Sequence, residues 1–343
     1  MTPVPSTLKP QAGKPLANLS LDLDNQWAYM KTNGETGWET FPSYLDVVVP
    51  RLLEMLERHQ LKITFFVVGQ DAALEKNRAA LASIAAAGHE IANHSFHHEP
   101  WLHLYSQADI EAEIAKAEDA IEGATGVRPT GFRGPGFSLS KAVLDTLKKR
   151  GYQYDGSTFP TFIGPLARAY YFLNAKLTPE EREKRKALYG TLADGLRPLT
   201  PYTWRLDGGE LVVLPVSTIP IARVPFHLSY IMFLARYSPW LARTYFKSAL
   251  TMCRLRGVEP SVLLHPLDAL GGDDMPELSF FPGMTLASKL KLELLDDALA
   301  TLARRYTVLP MGEYARRVQA QGRLTSRLPT IGPAIVDRAA SPA

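Results

Sequence analysis

Side chains that can bind a metal ion or transfer a proton follow several short apolar runs in this sequence. Asp22 and Asp24 lie at the end of the first run, and His94 and His98 follow a later one. A carboxylate and two imidazoles are a common ligand set for a catalytic divalent metal, which keeps positions open for water and substrate. The remaining carboxylate could then accept a proton. If the fold brings these residues together, they predict metal-assisted hydrolysis.

Each of these motifs is weak evidence by itself. A spacing of four places His94 and His98 on one face of a helical turn, but two solvated or capped histidines would give the same pattern, and His97 competes as a ligand. A spacing of two places Asp22 and Asp24 on one face of a strand, although paired aspartates also occur at turns and helix caps. Their joint occurrence favours the metal site.

The elements that must position these residues alternate between strands and helices. The predicted strands are Leu19–Leu23, Lys62–Val68, Glu90–Asn93, Gly131–Arg133, Tyr152–Asp155, Val262–Leu264 and Tyr306–Leu309. The predicted helices are Tyr44–Arg58, Ala72–Ala87, Gln107–Glu122, Ser140–Arg150, Ser288–Arg305 and a terminal helix through Gln319. Such alternation predicts an α/β fold with a parallel sheet and right-handed crossovers. Its simplest closed form is a β/α barrel, in which chemistry belongs at the carboxyl ends of the strands.

The 343 residues are predicted to form one catalytic domain at 17–318, with tails at 1–16 and 319–343. The alternation breaks at about 161–258, a stretch far longer than an ordinary loop, which indicates an insertion for substrate recognition. Surface or core packing would also explain its aromatic and basic residues. The candidate substrate contacts in it are Arg168, Tyr170, Tyr171 and Trp240.

Charge is distributed unevenly along this chain. Overall, 38 Lys and Arg against 35 Asp and Glu give a net charge of +3, which excludes a dedicated nucleic-acid binder. The stretch from Leu211 to Val258 has no acidic residue, and its basic residues are interleaved with aromatic ones. This composition fits a segment that lies on an anionic membrane surface, and it equally fits a segment packed in the core.

The expected compartment is the cytoplasm, with peripheral contact at the inner face of the membrane. The only cysteine, Cys253, cannot form an internal disulfide. The first residues contain no continuous apolar run of the secretory kind, and no stretch approaches the roughly 18–20 apolar residues of a membrane span. The sequence does not predict an oligomeric state.

Five motifs, taken in order, resemble those of the polysaccharide deacetylases of carbohydrate esterase family 4, the nodulation-type chitooligosaccharide deacetylase homology domain. The motifs are Ser20-Leu21-Asp22-Leu23-Asp24, His94-Ser95-Phe96-His97-His98, Arg133-Gly134-Pro135-Gly136-Phe137, Asp155-Gly156-Ser157-Thr158-Phe159-Pro160 and Leu263-Leu264-His265-Pro266. The resemblance covers roughly residues 18–160 well and 258–316 moderately. It does not cover the stretch between them.

The resemblance implies an irregular, incomplete (β/α)7-type barrel with a long insertion late in the barrel. It also implies hydrolysis of N-acyl groups on amino sugars with a bound divalent ion, Zn²⁺ first and otherwise Co²⁺, Ni²⁺ or Mn²⁺. By analogy, Asp24, His94 and His98 would hold the ion. Leu23 departs from the commonest first motif and leaves open which aspartate is the base and which the ligand.

The resemblance also implies the remaining roles. Asp22 would be the general base, tethered by Arg133, and His265 the general acid, oriented by Asp155. Phe137 would be a substrate contact. Gly136 separates Pro135 from Phe137, so the position of the backbone donor to the oxyanion stays open in this motif.

The expected function is removal of an N-acetyl or N-formyl group from an amino sugar that is carried on a polyprenyl phosphate at the cytoplasmic leaflet. One alternative is a deacylase or cyclic-imide hydrolase of a soluble small molecule. A second is a non-catalytic carbohydrate-binding barrel, which would need neither Asp22 nor His265. A third, a glycoside hydrolase, would need no pair of histidine ligands.

Overall fold

Ten strands form one sheet in the computed structural model, which describes residues 13–164 and 192–329. The strands are β1 (Leu16–Leu23), β2 (Thr64–Val67), β3 (Glu90–Asn93), β4 (Gly131–Phe132), β5 (Tyr154–Asp155), β6 (Tyr202–Leu206), β7 (Gly209–Val213), β8 (Ser261–Leu264), β9 (Thr307–Leu309) and β10 (Ser326–Arg327). Their order is β10-β6-β7-β5-β4-β3-β2-β1-β8, and β9 pairs with the start of β1. Neighbours from β7 to β8 are parallel, and β6 and β7 form an antiparallel hairpin. The predicted α/β class with a parallel sheet is confirmed.

Helices connect the parallel strands and cover the sheet. They are α1 (Gln26–Asn33), α2 (Leu45–Arg58), α3 (Gly69–Ala72), α4 (Glu75–Ala86), α5 (Gln107–Thr125), α6 (Lys141–Lys149), α7 (Leu228–Ala235), α8 (Pro239–Leu255), α9 (Ser288–Arg305) and α10 (Met311–Ala320). Helix α2 is amphipathic, because the apolar residues on one of its faces are buried at helical spacing. These residues are Leu45, Val48, Val49, Leu52 and Leu56. Ser140 caps α6 by accepting a hydrogen bond from the backbone N–H of Val143.

Irregular backbone spans the gap between the end of β7 and β8. Leu214 donates its N–H to the carbonyl of Asp155 at 2.9 Å. Ser217, three residues after Leu214, forms two hydrogen bonds with Ser261. Its N–H donates to the Ser261 carbonyl at 2.9 Å, and its hydroxyl accepts from the Ser261 N–H at 2.7 Å. Within the described ranges no strand pair closes the sheet, so the barrel is incomplete and single hydrogen bonds replace the missing ladder.

The stretch at 161–258 contributes to the sheet and to the core. Residues 202–213 form the β6–β7 hairpin, and β7 pairs with β5. In α7 and α8 the apolar side chains join the main core, including Ile231, Phe246 and Leu250. The candidate contacts Arg168, Tyr170 and Tyr171 lie outside the described residues, and a role of the stretch in substrate recognition stays a prediction.

Candidate metal and catalytic site

The structure brings Asp24, His94 and His98 together at the carboxyl end of the sheet. Asp24 follows β1 directly and His94 follows β3, and these two strands flank β2 in parallel. The Asp24 Oδ1 atom lies 3.3 Å from Nε2 of His94 and 3.0 Å from Nε2 of His98. One ligand atom from each residue lies within 4.8 Å of the other two. Two parallel strands on either side of β2 therefore bring together residues that are up to 74 positions apart along the chain.

The donor set at this cluster fits a divalent metal ion. Asp24 Oδ1 is buried and has no hydrogen-bond partner in the described part of the chain. The Nδ1 atom of His94 lies 2.6 Å from the Arg133 carbonyl, which can only accept, so Nε2 keeps a free lone pair. Burial raises the pKa of Asp24, but the adjacent His98 and His94 rings outweigh it and hold the pKa of this carboxyl well below its usual range. An ionised carboxylate and two imidazole lone pairs match the ligands that zinc prefers.

The segment that carries the histidines is a loop, so the helical turn suggested by their spacing is wrong. Ser95 and His98 both adopt left-handed backbone conformations, with φ of 63° and 54°. His97 turns away from the cluster, and its Nδ1 lies 2.7 Å from the Glu113 carboxylate. Glu113 also accepts the N–H groups of Phe96 and His97, at 3.0 Å and 2.6 Å. This carboxylate in α5 holds the loop so that His98 and not His97 faces Asp24.

Arg133 tethers Asp22, as the resemblance implied. The Arg133 side chain is fully buried, and its Nη1 donates to Asp22 Oδ1 at 2.5 Å and to the Ser20 hydroxyl at 3.0 Å. Its Nε donates to the Gly156 carbonyl at 3.0 Å, and its guanidinium lies 4.2 Å from the centre of the Phe66 ring. The Asp22 carboxylate is thereby fixed beside the metal cluster.

Asp155 does not orient His265, so this expected contact is wrong. Its Oδ1 accepts from the N–H and the hydroxyl of Ser157, at 3.0 Å and 2.5 Å, and its Oδ2 is buried without a partner among the described residues. The Ser157 hydroxyl in turn accepts the Gly134 N–H at 2.9 Å. Burial raises the pKa of Asp155 to about 6. Asp155 therefore supports the loop that begins at Gly134.

His265 lies level with Asp22 and contacts two other residues. The last paired positions of β1 and β8 are Leu21 and Leu264, and the two candidate proton carriers follow them directly. The His265 Nδ1 atom lies 3.0 Å from the Ser229 hydroxyl, and the N–H of His265 donates to Asp268 at 2.8 Å. Sequence reasoning missed both partners. Asp268 carries a signal, because an acidic residue three positions after a helix-capping residue is typical of a capping box.

An aromatic wall borders this region. The Phe137 ring stacks on Phe159 at 4.6 Å between centres, and Phe159 lies 5.6 Å from His227. The centre of the His227 ring lies 5.9 Å from the centre of the His265 ring. Sequence reasoning also missed His227. Burial lowers the pKa of His227 well below its usual value, so its ring is neutral. The wall adds a flat apolar surface beside the candidate acid.

The loop Gly134–Phe137 leaves one backbone donor unused. Phe137 donates its N–H to the Gly134 carbonyl at 2.9 Å, and Pro135 has no N–H to offer. Gly136 has a left-handed φ of 57°, and in the described part of the chain its N–H makes no hydrogen bond. Among the backbone N–H groups of this motif, that of Gly136 is therefore the candidate donor to a developing oxyanion.

A buried carboxyl supports the loop after β1. The Asp71 Oδ1 atom accepts from Asn25 at 2.7 Å, from the Trp27 indole at 2.9 Å and from Asn77 at 3.1 Å. Burial raises the pKa of Asp71 to about 7. Because Asn25 follows Asp24 directly, this network fixes the backbone that presents the candidate metal ligand.

We expect Asp71→Asn to flatten the pH dependence of stability. A carboxyl whose pKa rises from 3.8 to about 7 on folding favours the folded state in its protonated form, so this contribution is lost as the pH increases from about 4 through 7. The asparagine keeps the acceptor oxygen and does not titrate. The free energy of unfolding, measured in urea at pH 5 to 8, should therefore fall more steeply for the wild type than for the variant. Parallel profiles would contradict the expectation.

The chain is similar to known proteins over part of its length. The family profile described as polysaccharide deacetylase matches residues 30–154. The chain is 30% identical over 112 residues to a peptidoglycan deacetylase of Helicobacter pylori, which is 33% of this chain and 37% of that protein. It is 30% identical over 146 residues to the peptidoglycan-N-acetylmuramic acid deacetylase PdaA of Bacillus subtilis, which is 42% of this chain and 54% of that protein. The chain thus spans about half or less of the length of these curated relatives.

The fold has a counterpart among solved structures. A crystal structure from Mycobacterium smegmatis described as a polysaccharide deacetylase superposes with a TM-score of 0.63 at 22% identity, over 97% of this chain and 99% of that one. At this identity the likeness concerns the fold alone. The profile match contains two of the three residues of the metal cluster and Arg133. Over residues 30–154 the chain is similar to the polysaccharide deacetylase family.

Proposed function

We propose that the chain is a metal-dependent hydrolase that removes an N-acetyl or N-formyl group from an amino sugar. The observation that carries the proposal is the Asp24, His94 and His98 cluster beside a tethered carboxylate, Asp22, and an imidazole, His265. An amide is a poor electrophile and an amine a poor leaving group, so its hydrolysis needs both a base and an acid. This cluster supplies one of each next to a metal site.

Each residue has a chemical task in this proposal. A divalent ion held by the cluster would polarise the amide carbonyl and lower the pKa of a bound water to about 7. Asp22 accepts the proton of the attacking water, and Arg133 keeps the Asp22 carboxylate in place. The Gly136 N–H stabilises the charge that develops on the carbonyl oxygen. His265 protonates the amine so that it can leave.

The amino-sugar class is supported by the relatives. The Helicobacter pylori and Bacillus subtilis proteins are named as peptidoglycan deacetylases, and peptidoglycan carries N-acetylated sugars. The two proton carriers beside the metal cluster also favour an enzyme over a carbohydrate-binding barrel, because binding alone needs neither Asp22 nor His265.

We further propose that the sugar is carried on a polyprenyl phosphate at the cytoplasmic leaflet. Tyr237 and Trp240 are each 72% exposed, and Leu241 is 41% exposed, around the exposed Arg236. We call these four residues the outer patch. Aromatic, aliphatic and basic side chains of this kind suit the headgroup layer of an anionic membrane.

The outer patch lies one helix length from the candidate acid. Ser229, near the start of α7, contacts His265, and the patch begins where α7 ends. Eight helical residues span about 12 Å, a distance that a sugar and its phosphate linkage could bridge. Trp240 thus lies at the far end of α7 from the site, where it would contact the lipid and not the acyl group. In the described part of the chain, no helix is long and apolar enough to cross a membrane.

A mass-spectrometric screen tests the proposed reaction. Zinc-loaded protein would be incubated with N-acetylglucosamine oligosaccharides and with polyprenyl-diphosphate-linked N-acetylglucosamine, and with their N-formyl counterparts. Asp22→Asn serves as the blank. Loss of the acyl mass from the lipid-linked compound alone supports the full proposal, and loss from the soluble sugars alone contradicts its lipid part. Equal signals from the wild type and the blank contradict the hydrolase proposal.

Sedimentation with anionic vesicles tests the outer patch separately. We expect a Tyr237→Ser/Trp240→Ser variant to bind phosphatidylglycerol vesicles less than the wild type. Leu255→Ser is the matched control, because Leu255 is 78% exposed at the opposite end of α8. An equal loss in both variants, or no vesicle binding by the wild type, would contradict the membrane part of the proposal.

A further inference from the structure

Three polar groups form a closed circuit behind the candidate acid. The Ser229 hydroxyl lies 3.0 Å from the His265 Nδ1 and 3.0 Å from the Asp268 Oδ1. The other carboxylate oxygen, Oδ2, accepts the backbone N–H of His265 at 2.8 Å. Asp268 is buried, and it follows His265 in a short 3₁₀ turn. The circuit therefore fixes both the backbone and the ring of His265.

The number of available protons sets the direction of each hydrogen bond. A carboxylate can only accept, so the single hydrogen of the Ser229 hydroxyl points to Asp268. The hydroxyl oxygen must then accept from His265, and this requires the hydrogen of the neutral ring to be on Nδ1. The Nε2 atom is left with a lone pair that can take up a proton and release it. Through the Ser229 hydroxyl, the Asp268 carboxylate thus determines which nitrogen of the His265 ring carries the hydrogen.

The Asp268 N–H faces the His265 side chain in the capping box, but it donates to the His265 carbonyl at 3.0 Å. No other side chain in the described part of the chain competes for Nδ1. His227 is neutral and its Nδ1 has no partner. Lys291 donates to the carbonyls of Leu267 and Leu270, both at 2.8 Å. Burial raises the pKa of Asp268. The pKa is lowered by the nearby His265 ring, by the His265 N–H and by Lys291. On the side of the sheet, Arg133 is engaged with Asp22.

We propose that Ser229 and Asp268 are positioning residues that hold His265 in the Nδ1–H tautomer, so that Nε2 carries the catalytic proton. The inference rests on the proposed hydrolase function. Ser229 lies in the stretch at 161–258, outside the profile match at residues 30–154. The orienting group of the acid therefore comes from a part of the chain that the family profile does not cover, while Asp155 supports a neighbouring loop.

An isosteric substitution gives the sharpest test, because it reverses the circuit without removing a group. In Asp268→Asn the side-chain oxygen must stay on the His265 N–H, which only donates, so the amide NH₂ faces Ser229. The hydroxyl then accepts from the amide and donates to Nδ1. The neutral His265 ring should switch to the Nε2–H tautomer. A change of this kind leaves geometry intact but places the proton on the wrong nitrogen.

Nitrogen-15 spectra of histidine-labelled, zinc-loaded protein would report the tautomer at about pH 8.5, two units above the ordinary histidine pKa of about 6.5. The His265 signal is assigned by its loss in His265→Gln. We expect Nδ1–H in the wild type and in Ser229→Thr, Nε2–H in Asp268→Asn, and loss of a fixed Nδ1–H tautomer in Ser229→Ala. An Nε2–H ring in the wild type, or an unchanged tautomer in Ser229→Ala and Asp268→Asn, would overturn the proposal.

Kinetics on the substrate found in the screen provide the second readout. Ser229→Ala should lower kcat by about tenfold to a hundredfold, the range for outer partners that orient histidines, with little change in KM, and Ser229→Thr should restore most of the rate. An unchanged kcat in Ser229→Ala would overturn the positioning role. The spectra need no substrate. Failure of the hydrolase proposal can therefore be distinguished from failure of the proposed positioning role of Ser229 and Asp268.

Discussion

Arg133→Met should lower the free energy of unfolding by about 3–5 kcal/mol, the cost of removing one partner of a buried ion pair. The Arg133 side chain is fully buried, and methionine would leave the Asp22 carboxylate without its cation. The Ser20 hydroxyl would also lose the Nη1 donor of Arg133, and the Gly156 carbonyl would lose its Nε donor. Urea unfolding followed by circular dichroism measures the difference.

The matched control for this prediction is Arg58→Met. Arg58 is 53% exposed in its pairs with Glu54 and Asp296, and an exposed pair contributes about 0–1 kcal/mol. If Arg133→Met cost no more than Arg58→Met, the buried tether would not hold the site together in the way that the contacts indicate.

Asp22→Asn should reduce kcat by about 10²–10⁴, the usual contribution of a general base, and should leave metal binding intact. Asparagine keeps an oxygen that accepts from Arg133, so the fold and the tether remain, but the amide cannot take up a proton. The rate is measured on the substrate identified by mass spectrometry, and the zinc content of the same preparation is measured by elemental analysis.

The control for the base is Asp46→Asn, which removes an exposed carboxylate in the first turn of α2 and should leave the rate unchanged. A wild-type rate in Asp22→Asn would assign the base to another residue. Loss of zinc in Asp22→Asn would instead show that this aspartate is a ligand, which would exchange the roles given to Asp22 and Asp24.

Two residues of the metal cluster could be predicted from the sequence, because Asp24 and His94 each follow the end of a strand. Apolar runs ending in Asp24 and His94 place both residues at the same edge of a parallel sheet, and this depends only on local pattern and on the direction of the strands. The family resemblance implied His98 as the third ligand, but the local pattern alone did not decide between His97 and His98. That choice depends on Glu113, which lies in a separate helix and holds His97 away.

The partners of His265 show where sequence reasoning ends. Ser229 lies 36 residues before His265 in a stretch of mixed character. No local pattern relates a serine on a helix to a histidine that follows a strand. The β6–β7 hairpin, by contrast, had a readable signal. Leu206-Asp207-Gly208-Gly209 lies between two apolar runs, and an Asp-Gly turn in such a position is typical of a hairpin.

Metal content tests the central claim most directly. Protein purified and dialysed against dilute zinc would be analysed for bound metal, with His98→Ala as the ligand variant and His97→Ala as its neighbour control. The two residues are adjacent, but only His98 faces Asp24, and His97 contacts Glu113. We predict one zinc ion per chain in the wild type and in His97→Ala, and its loss in His98→Ala. Zinc retained in His98→Ala, or lost equally in both variants, would contradict the claim that Asp24, His94 and His98 form the metal site.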